Sequence, residues 1–285
     1  MKSWKHQSVL LKEAIEALNV EQGKIYVDAT LGAAGHAKEI IRRGGEVIGF
    51  EIDSEIVNRL RAERIAGLQI VNENFVELEK VLSNLNIKEV SGIIFDLGVS
   101  TDQLESPKLG LSFRQEGPLD MRLSHKLGVT AADLVNALAE GELYELFRRY
   151  GEERFARHLA RAVVRYRNQK KFETSLELAN LIESEVPRRG KIHQATRIFM
   201  ALRIAVNDEL GNLEKGLTAA TKSLKVGGRL VVISFHSLED RVVKDLIRTE
   251  SRLRIVTGKP IVPSEAEIKS NPRARSAKMR VAEKI

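Results

Sequence analysis

Near the start of the chain, apolar residues recur at helical spacing. Leu11, Ala14, Ile15 and Leu18 share one face of an amphipathic helix over residues 8–19. Short, almost continuously apolar runs then alternate with helical patterns. Residues 24–29, 46–51, 68–72 and 92–96 read as strands, and 35–43 and 54–64 as helices, the first closed by Gly44 and Gly45. Strands apolar on both faces and separated by helices predict a parallel sheet covered on both sides. Beyond Asp96 the pattern changes: from Thr130 to Leu224 only helical periodicity is found. Thr130 with Asp133, and Thr174 with Glu177, have the spacing of capping boxes, and Pro187 ends a helix. Alternation resumes with a strand at 229–234, a helix at 238–249 and a strand at 253–256. A link bearing Pro260 and Pro263 leads to a last strand around 277–282. The economical organisation is one α/β domain (1–104 and 206–285) interrupted by an all-α insertion (105–205).

Composition narrows the function. The 285 residues include no Cys, which excludes disulfides, a thiolate attacking a base, and zinc-dependent deamination at a PCxxC site. No apolar run approaches the roughly 18 residues of a membrane span and the first residues are polar. A cytoplasmic protein with no membrane partner is the expectation. Charge is uneven. Between Phe147 and Phe172 there are nine basic and two acidic residues, a +7 excess equal to that of the whole chain. Within this stretch Arg157, Arg161 and Arg165 recur at four-residue spacing. Further clusters run through Arg188, Arg189, Lys191, His193 and Arg197, and through Arg273, Arg275, Lys278 and Arg280. Any one of them reads equally as a solvated helix face; three together favour a nucleic-acid backbone.

The segment DATLGAAGH (28–36) lies where the first strand turns into a helix. Gly32 permits a tight turn, and Ala33, Ala34 and Gly35 let a ligand approach the backbone. Only G-x-x-G is present, so the dinucleotide fingerprint is not met. An acid at the strand end, Asp28, suits a cationic amino-acid group better than a pyrophosphate. Glu51 ends the second strand 19 residues after Gly32, where a carboxylate can take two ribose hydroxyls, and Asp53 follows. Helix capping is the competing explanation for both acids. The pair points to an adenosyl ligand, S-adenosylmethionine rather than NAD. Asp96 ends the fourth strand, with Gly98 freeing the backbone and Asp102 or Gln103 in reach of a ligand. After the insertion, VVISFHSLEDRVVK (231–244) delivers Ser234, Phe235, His236 and Ser237 to the same sheet edge. Ser237 with Asp240 has N-cap spacing, and His236 is as readily structural as catalytic.

These segments together resemble the MraW (RsmH) family, the S-adenosylmethionine-dependent methyltransferases that modify the exocyclic amine of a cytidine at the decoding centre of 16S ribosomal RNA. The resemblance rests on HQSVLL (6–11), DATLGAAGH, DLGVSTDQL (96–104), GPLDMRL (117–123), RIFMALRIAVNDEL (197–210), ISFHSLEDRVVK (233–244) and NPRARSAKMRVAEK (271–284), in order over almost the whole chain. It implies a Rossmann-like class I methyltransferase fold, with a mainly parallel seven-stranded sheet and an inserted helical domain that recognises RNA. Carried over position by position, cofactor contacts fall on Ala34, Gly35, His36, Glu51, Phe75, Asp96 and Gln103, beside Asp28. The family usually has Gly-Gly-His where this chain has Ala34-Gly35-His36, and Asp where it has Glu51. Asp96, with His236 or Phe235 across the base, is the expected catalytic pair. Asp120, Met121 and Arg122 form a loop able to close over the base, and Arg197 a phosphate contact or a helix-face ion pair. The expected partner is 16S ribosomal RNA within the small subunit, with a homodimer left open. The competing functions are a non-catalytic RNA-binding assembly factor with a structural adenosyl ligand, and a dinucleotide-dependent oxidoreductase.

Overall fold

The computed structural model describes residues 7–100, 103–104, 106–113, 115–124, 126–187 and 193–285. His6, Asp102, Arg188, Arg189 and Lys191, all singled out above, lie outside the described residues. The chain divides into two compact units, residues 1–100 with 210–285, and residues 101–209.

The first unit is built on seven strands: β1 (Ile25–Asp28), β2 (Glu46–Phe50), β3 (Leu68–Val71), β4 (Val90–Asp96), β5 (Leu224–Ser234), β6 (Leu253–Ile255) and β7 (Lys278–Lys284). Their order is β3-β2-β1-β4-β5-β7-β6. All neighbours are parallel except β7, which runs antiparallel between β5 and β6. Side-chain alternation explains the near-continuous apolar runs. Tyr26, Val47, Ile94 and Val231 enter one buried cluster, whereas Val27, Ile48, Ile93 and Val232 enter the other. The first cluster is covered by α1 (Leu11–Leu18), α2 (Gly35–Arg42) and α3 (Ser54–Glu63). The second is covered by α4 (Leu78–Asn84), α10 (Glu209–Ser223) and α11 (Ser237–Thr249). This is the expected Rossmann-like methyltransferase sheet. Helix α4, and the short α12 (Glu265–Ser270) before β7, are additions to the sequence reading.

Among the described residues of the second unit, helices α5 (Ala131–Ala137), α6 (Glu140–Arg149), α7 (Ala156–Arg167), α8 (Ser175–Glu185) and α9 (Thr196–Asn207) follow one another. Both expected capping boxes form, Thr130 with Asp133 and Thr174 with Glu177. Asn207 near the end of α9 fastens the loop at 117–123. Its Oδ1 accepts from the Leu123 N–H at 2.9 Å, and its Nδ2 donates to the Met121 carbonyl at 2.9 Å. Two of the motifs quoted above thus meet through one buried side chain.

Candidate active site

In a doubly wound sheet the ligand crevice lies at the carboxyl ends of the strands, where the order reverses. Here that point falls between β1 and β4, whose last residues are Asp28 and Asp96. Asp28 is buried and accepts from the Thr30 N–H at 3.1 Å; burial pushes its carboxyl up to about 7. Just beyond the end of the next strand, β2, stands Glu51, one of whose carboxylate oxygens accepts from the Gly32 N–H at 3.0 Å and the other from the Asp53 N–H at 2.9 Å. Burial pushes Glu51 up to about 7 as well. Asp53 itself caps α3.

The loop between β1 and α2 passes through two left-handed residues, Gly32 (φ 50°) and Ala34 (φ 60°). Glycine adopts that conformation without strain, whereas Ala34 holds it at a steric cost. Gly35 is needed for close approach: a Cβ there would fall 1.9 Å from the Ser8 hydroxyl. His36, in the first turn of α2, is buried, with Nε2 at 3.2 Å from the Val9 carbonyl and Nδ1 at 3.6 Å from Asp96 Oδ2.

Asp96 is the centre of this arrangement. Its N–H donates to the Thr30 hydroxyl at 2.6 Å. Burial, with the Asp28 and Glu239 carboxylates beside it, raises its carboxyl well above the usual range. Its Oδ1 is buried and, among the described residues, has no hydrogen-bond partner. Such an orphaned acceptor is costly unless a ligand satisfies it.

Asp96 pairs in register with Ile233, so Phe235 and His236 emerge just beyond it at the same edge. Phe235 packs over Gly98, whose φ of 104° and missing side chain leave room for the ring. The cap of α11 differs from the expected one. His236, not Ser237, is the N-cap: its Nδ1 accepts from the Glu239 N–H at 3.3 Å. Glu239 Oε2 in turn accepts from the N–H groups of Phe235 and His236, at 2.8 and 3.2 Å. Asp240 is instead held by Arg280 at 2.6 Å and Lys278 at 3.4 Å. Histidine is an uncommon N-cap, so a serine one residue on with an acid at the same spacing misdirects the reading. Thr30 and Glu239 were missed; only the H-S-L-E spacing hinted at the second.

Phe75, at the start of a single 3₁₀ turn, is partly buried and meets Phe95 edge-on at 5.3 Å. Gly216 lies so close that a Cβ would come within 2.4 Å of the Phe75 ring.

Gln103 belongs to the second unit, where it is buried. There Arg122 grips Asp120 with two nitrogens, at 2.7 and 2.8 Å, and donates a third to the Leu127 carbonyl at 2.8 Å. This guanidinium therefore clasps its own loop. Arg197 takes the ion-pair role, with Nη1 at 3.7 Å from Glu153 Oε2. Arg161 pairs with Glu140 at 3.0 Å and Arg165 with Glu185 at 2.8 Å, whereas Arg157 stands over the Tyr144 ring at 4.9 Å.

A family model described as the MraW methylase family matches residues 3–285. The chain belongs to that family. It is 47% identical over 306 residues to the ribosomal RNA small subunit methyltransferase H of Carboxydothermus hydrogenoformans, covering 98% of each chain. It is 44% identical over 311 residues to the protein of that name from Geobacter sulfurreducens, covering 99% of this chain and 100% of the other. Among solved structures, an rRNA methylase from Streptococcus thermophilus is 11% identical with a TM-score of 0.46, over 96% of this chain and 95% of that one. That likeness is too loose to bear on the site. Membership of the MraW methylases makes the chain a methyltransferase dependent on S-adenosylmethionine.

The residues present fit that donor. Asp28, Glu51 and Asp96 are held without a lysine or arginine in ion-pair range among the described residues. A nest of uncompensated buried carboxylates repels phosphates and suits a ligand carrying a sulfonium and an ammonium.

Proposed function

We propose that this MraW methylase transfers the methyl group to the exocyclic N4 amine of a cytidine in the decoding centre of 16S ribosomal RNA, in the cytoplasm. The observation that carries the reading is Asp96, a strand-end carboxyl at the crevice with one buried oxygen lacking a partner. S-adenosylmethionine supplies an electrophilic methyl group on a positively charged sulfur. In this reading Glu51 takes the ribose hydroxyls, Phe75 lies against adenine and Asp28 faces the cationic amino-acid end. Ala34, Gly35 and His36 form the loop against which the ligand lies.

The cytosine amine is a poor nucleophile because its lone pair is delocalised into the ring. A carboxylate that accepts one amine hydrogen favours the pyramidal nitrogen whose lone pair can attack. Asp96, ionised beside the cationic donor, performs that role and takes the amine proton; the N–C bond would form as the methyl–sulfur bond breaks, with S-adenosylhomocysteine as the leaving group. A backbone carbonyl beside it serves the second hydrogen. Holding amine and methyl in line is worth about 7–11 kcal/mol in favourable cases. Phe235 and His236, fixed by the Glu239 cap, bound the base on the other side. Asp96-Leu97-Gly98-Val99 stands where amine-directed methyltransferases often carry a proline-aromatic motif, so the flanking aromatic comes from Phe235 instead. A cytidine in a ribosomal loop is already unpaired, so presenting it costs little. The helical unit grips RNA backbone, with Arg157 better suited than Arg161, Arg165 and Arg197, which already face carboxylates.

The names of the full-length relatives support a ribosomal RNA substrate. Buried acids at the crevice disfavour the dinucleotide alternative. To test the reading, small subunits lacking the modification are incubated with methyl-labelled donor and their RNA is digested to nucleosides. Label in N4-methylcytidine is expected; label in another nucleoside, or none, would refute it.

A further inference from the structure

The second unit contains a row of stacked arginines that ion pairing leaves uncompensated. Arg149 stands over the Tyr150 ring at 5.5 Å, Arg154 over Phe155 at 5.1 Å and Arg157 over Tyr144 at 4.9 Å. All three arginines are exposed. Among the described residues none of the three has a carboxylate partner. Their neighbours differ. Arg148 lies 3.8 Å from Glu145, Arg161 3.0 Å from Glu140 and Arg165 2.8 Å from Glu185.

The three uncompensated residues cluster at the corner between α6 and α7. That corner is tightly built: a Cβ on Gly151 would fall 2.6 Å from the Phe147 carbonyl and 2.9 Å from the Arg197 carbonyl. A guanidinium that stacks on a ring uses its face and keeps its in-plane N–H donors. Its side-chain entropy is already reduced before a ligand arrives, so less is lost on binding. Phosphate oxygens accept in the plane of the guanidinium fork.

We infer that the α6–α7 corner, through Arg149, Arg154 and Arg157, is the principal backbone-binding surface of the helical unit for single-stranded RNA. This rests on the RNA-directed reading above. Arg161 and Arg165 act as ion pairs between helices, Arg148 pairs within α6 while also lying 5.9 Å from the Tyr144 ring, and Arg167 donates to the Val135 carbonyl. Each phosphate neutralised on a single strand adds about 0.7 to the slope of log affinity against log salt.

The test compares two triple variants of the full chain on a fluorescently labelled single-stranded RNA, by anisotropy over a salt series. One carries Arg149→Gln, Arg154→Gln and Arg157→Gln; the other Arg148→Gln, Arg161→Gln and Arg165→Gln. The corner variant is expected to bind at least tenfold more weakly, with a slope shallower by about 2, and the ion-pair variant less than threefold more weakly. Equal losses, or a larger loss in the ion-pair variant, would overturn the inference. Arg157→Gln against Arg161→Gln, one helical turn apart, repeats the comparison should a triple variant fold poorly. Donor affinity serves as a check on folding. If the wild-type product contained no N4-methylcytidine while the corner variant alone lost RNA, the functional reading would fail and this one would stand.

Discussion

His36 Nδ1 stands 3.6 Å from Asp96 Oδ2, while its Nε2 lies against the Val9 carbonyl. The imidazole is thus anchored on the segment before α1 and presents its other nitrogen to the carboxyl at the end of β4. The nearest groups acting on Asp96 besides this ring are acids, Asp28 and Glu239. The crevice is consequently a nest of buried acids that keep their protons to higher pH than exposed carboxyls do, and its behaviour with pH follows from that.

Asp28 and Glu51 are each pushed up to about 7 by burial, whereas an exposed carboxyl titrates near 4. Between about pH 4 and 7 the folded chain therefore holds more protons than the unfolded one, and stability falls as pH rises. Glu39 and Glu250, held at about 2 by neighbouring arginines, act below that window. A cationic donor has the opposite preference, binding best to the ionised acids. The ligand-free protein is expected to unfold at a higher temperature at pH 5.5 than at pH 8, and donor affinity to rise over the same interval. Glu51→Gln should flatten both trends. Scanning calorimetry and titration calorimetry check them.

Removing the Glu239 carboxylate strips acceptors from two backbone N–H groups and leaves only the His236 half of the α11 capping box. Glu239→Ala is expected to cost about 1–3 kcal/mol of stability and to lower kcat through a loosened Phe235–His236 turn. Denaturant unfolding and steady-state methyl transfer measure the two effects.

Asn207→Ala should act locally. It deprives the Leu123 N–H and the Met121 carbonyl of their partners at about 1–3 kcal/mol. Faster amide hydrogen exchange at Leu123 and its neighbours is expected, with β1 and β4 unchanged.

The sheet was legible because its central strands, β1, β2, β4 and the end of β5, are buried on both faces and so read as unbroken apolar runs bounded by turns. The boxes at Thr130 and Thr174 were legible because capping chemistry is local. Helix α4 was missed although Leu78, Val81, Leu82 and Leu85 stand at helical spacing and pack on the core, because the run is only two turns long. Helix α12 buries no residue and is held partly by Glu267, which accepts from the distant Leu10 N–H at 2.7 Å. Arg161 and Arg165 looked like free RNA ligands because Glu140 and Glu185, their partners, are remote in sequence. The strand-end acids were found from their position alone, but the orphaned oxygen of Asp96 and its Thr30 tether depend on tertiary neighbours.

The central claim is that Asp96 receives the target amine, and single-turnover transfer by Asp96→Ala tests it most directly. With RNA and donor both saturating, the rate of the chemical step should fall by about 100-fold or more, while RNA affinity stays within about twofold of wild type. A variant that binds both ligands and transfers the methyl group at the wild-type rate would contradict the account.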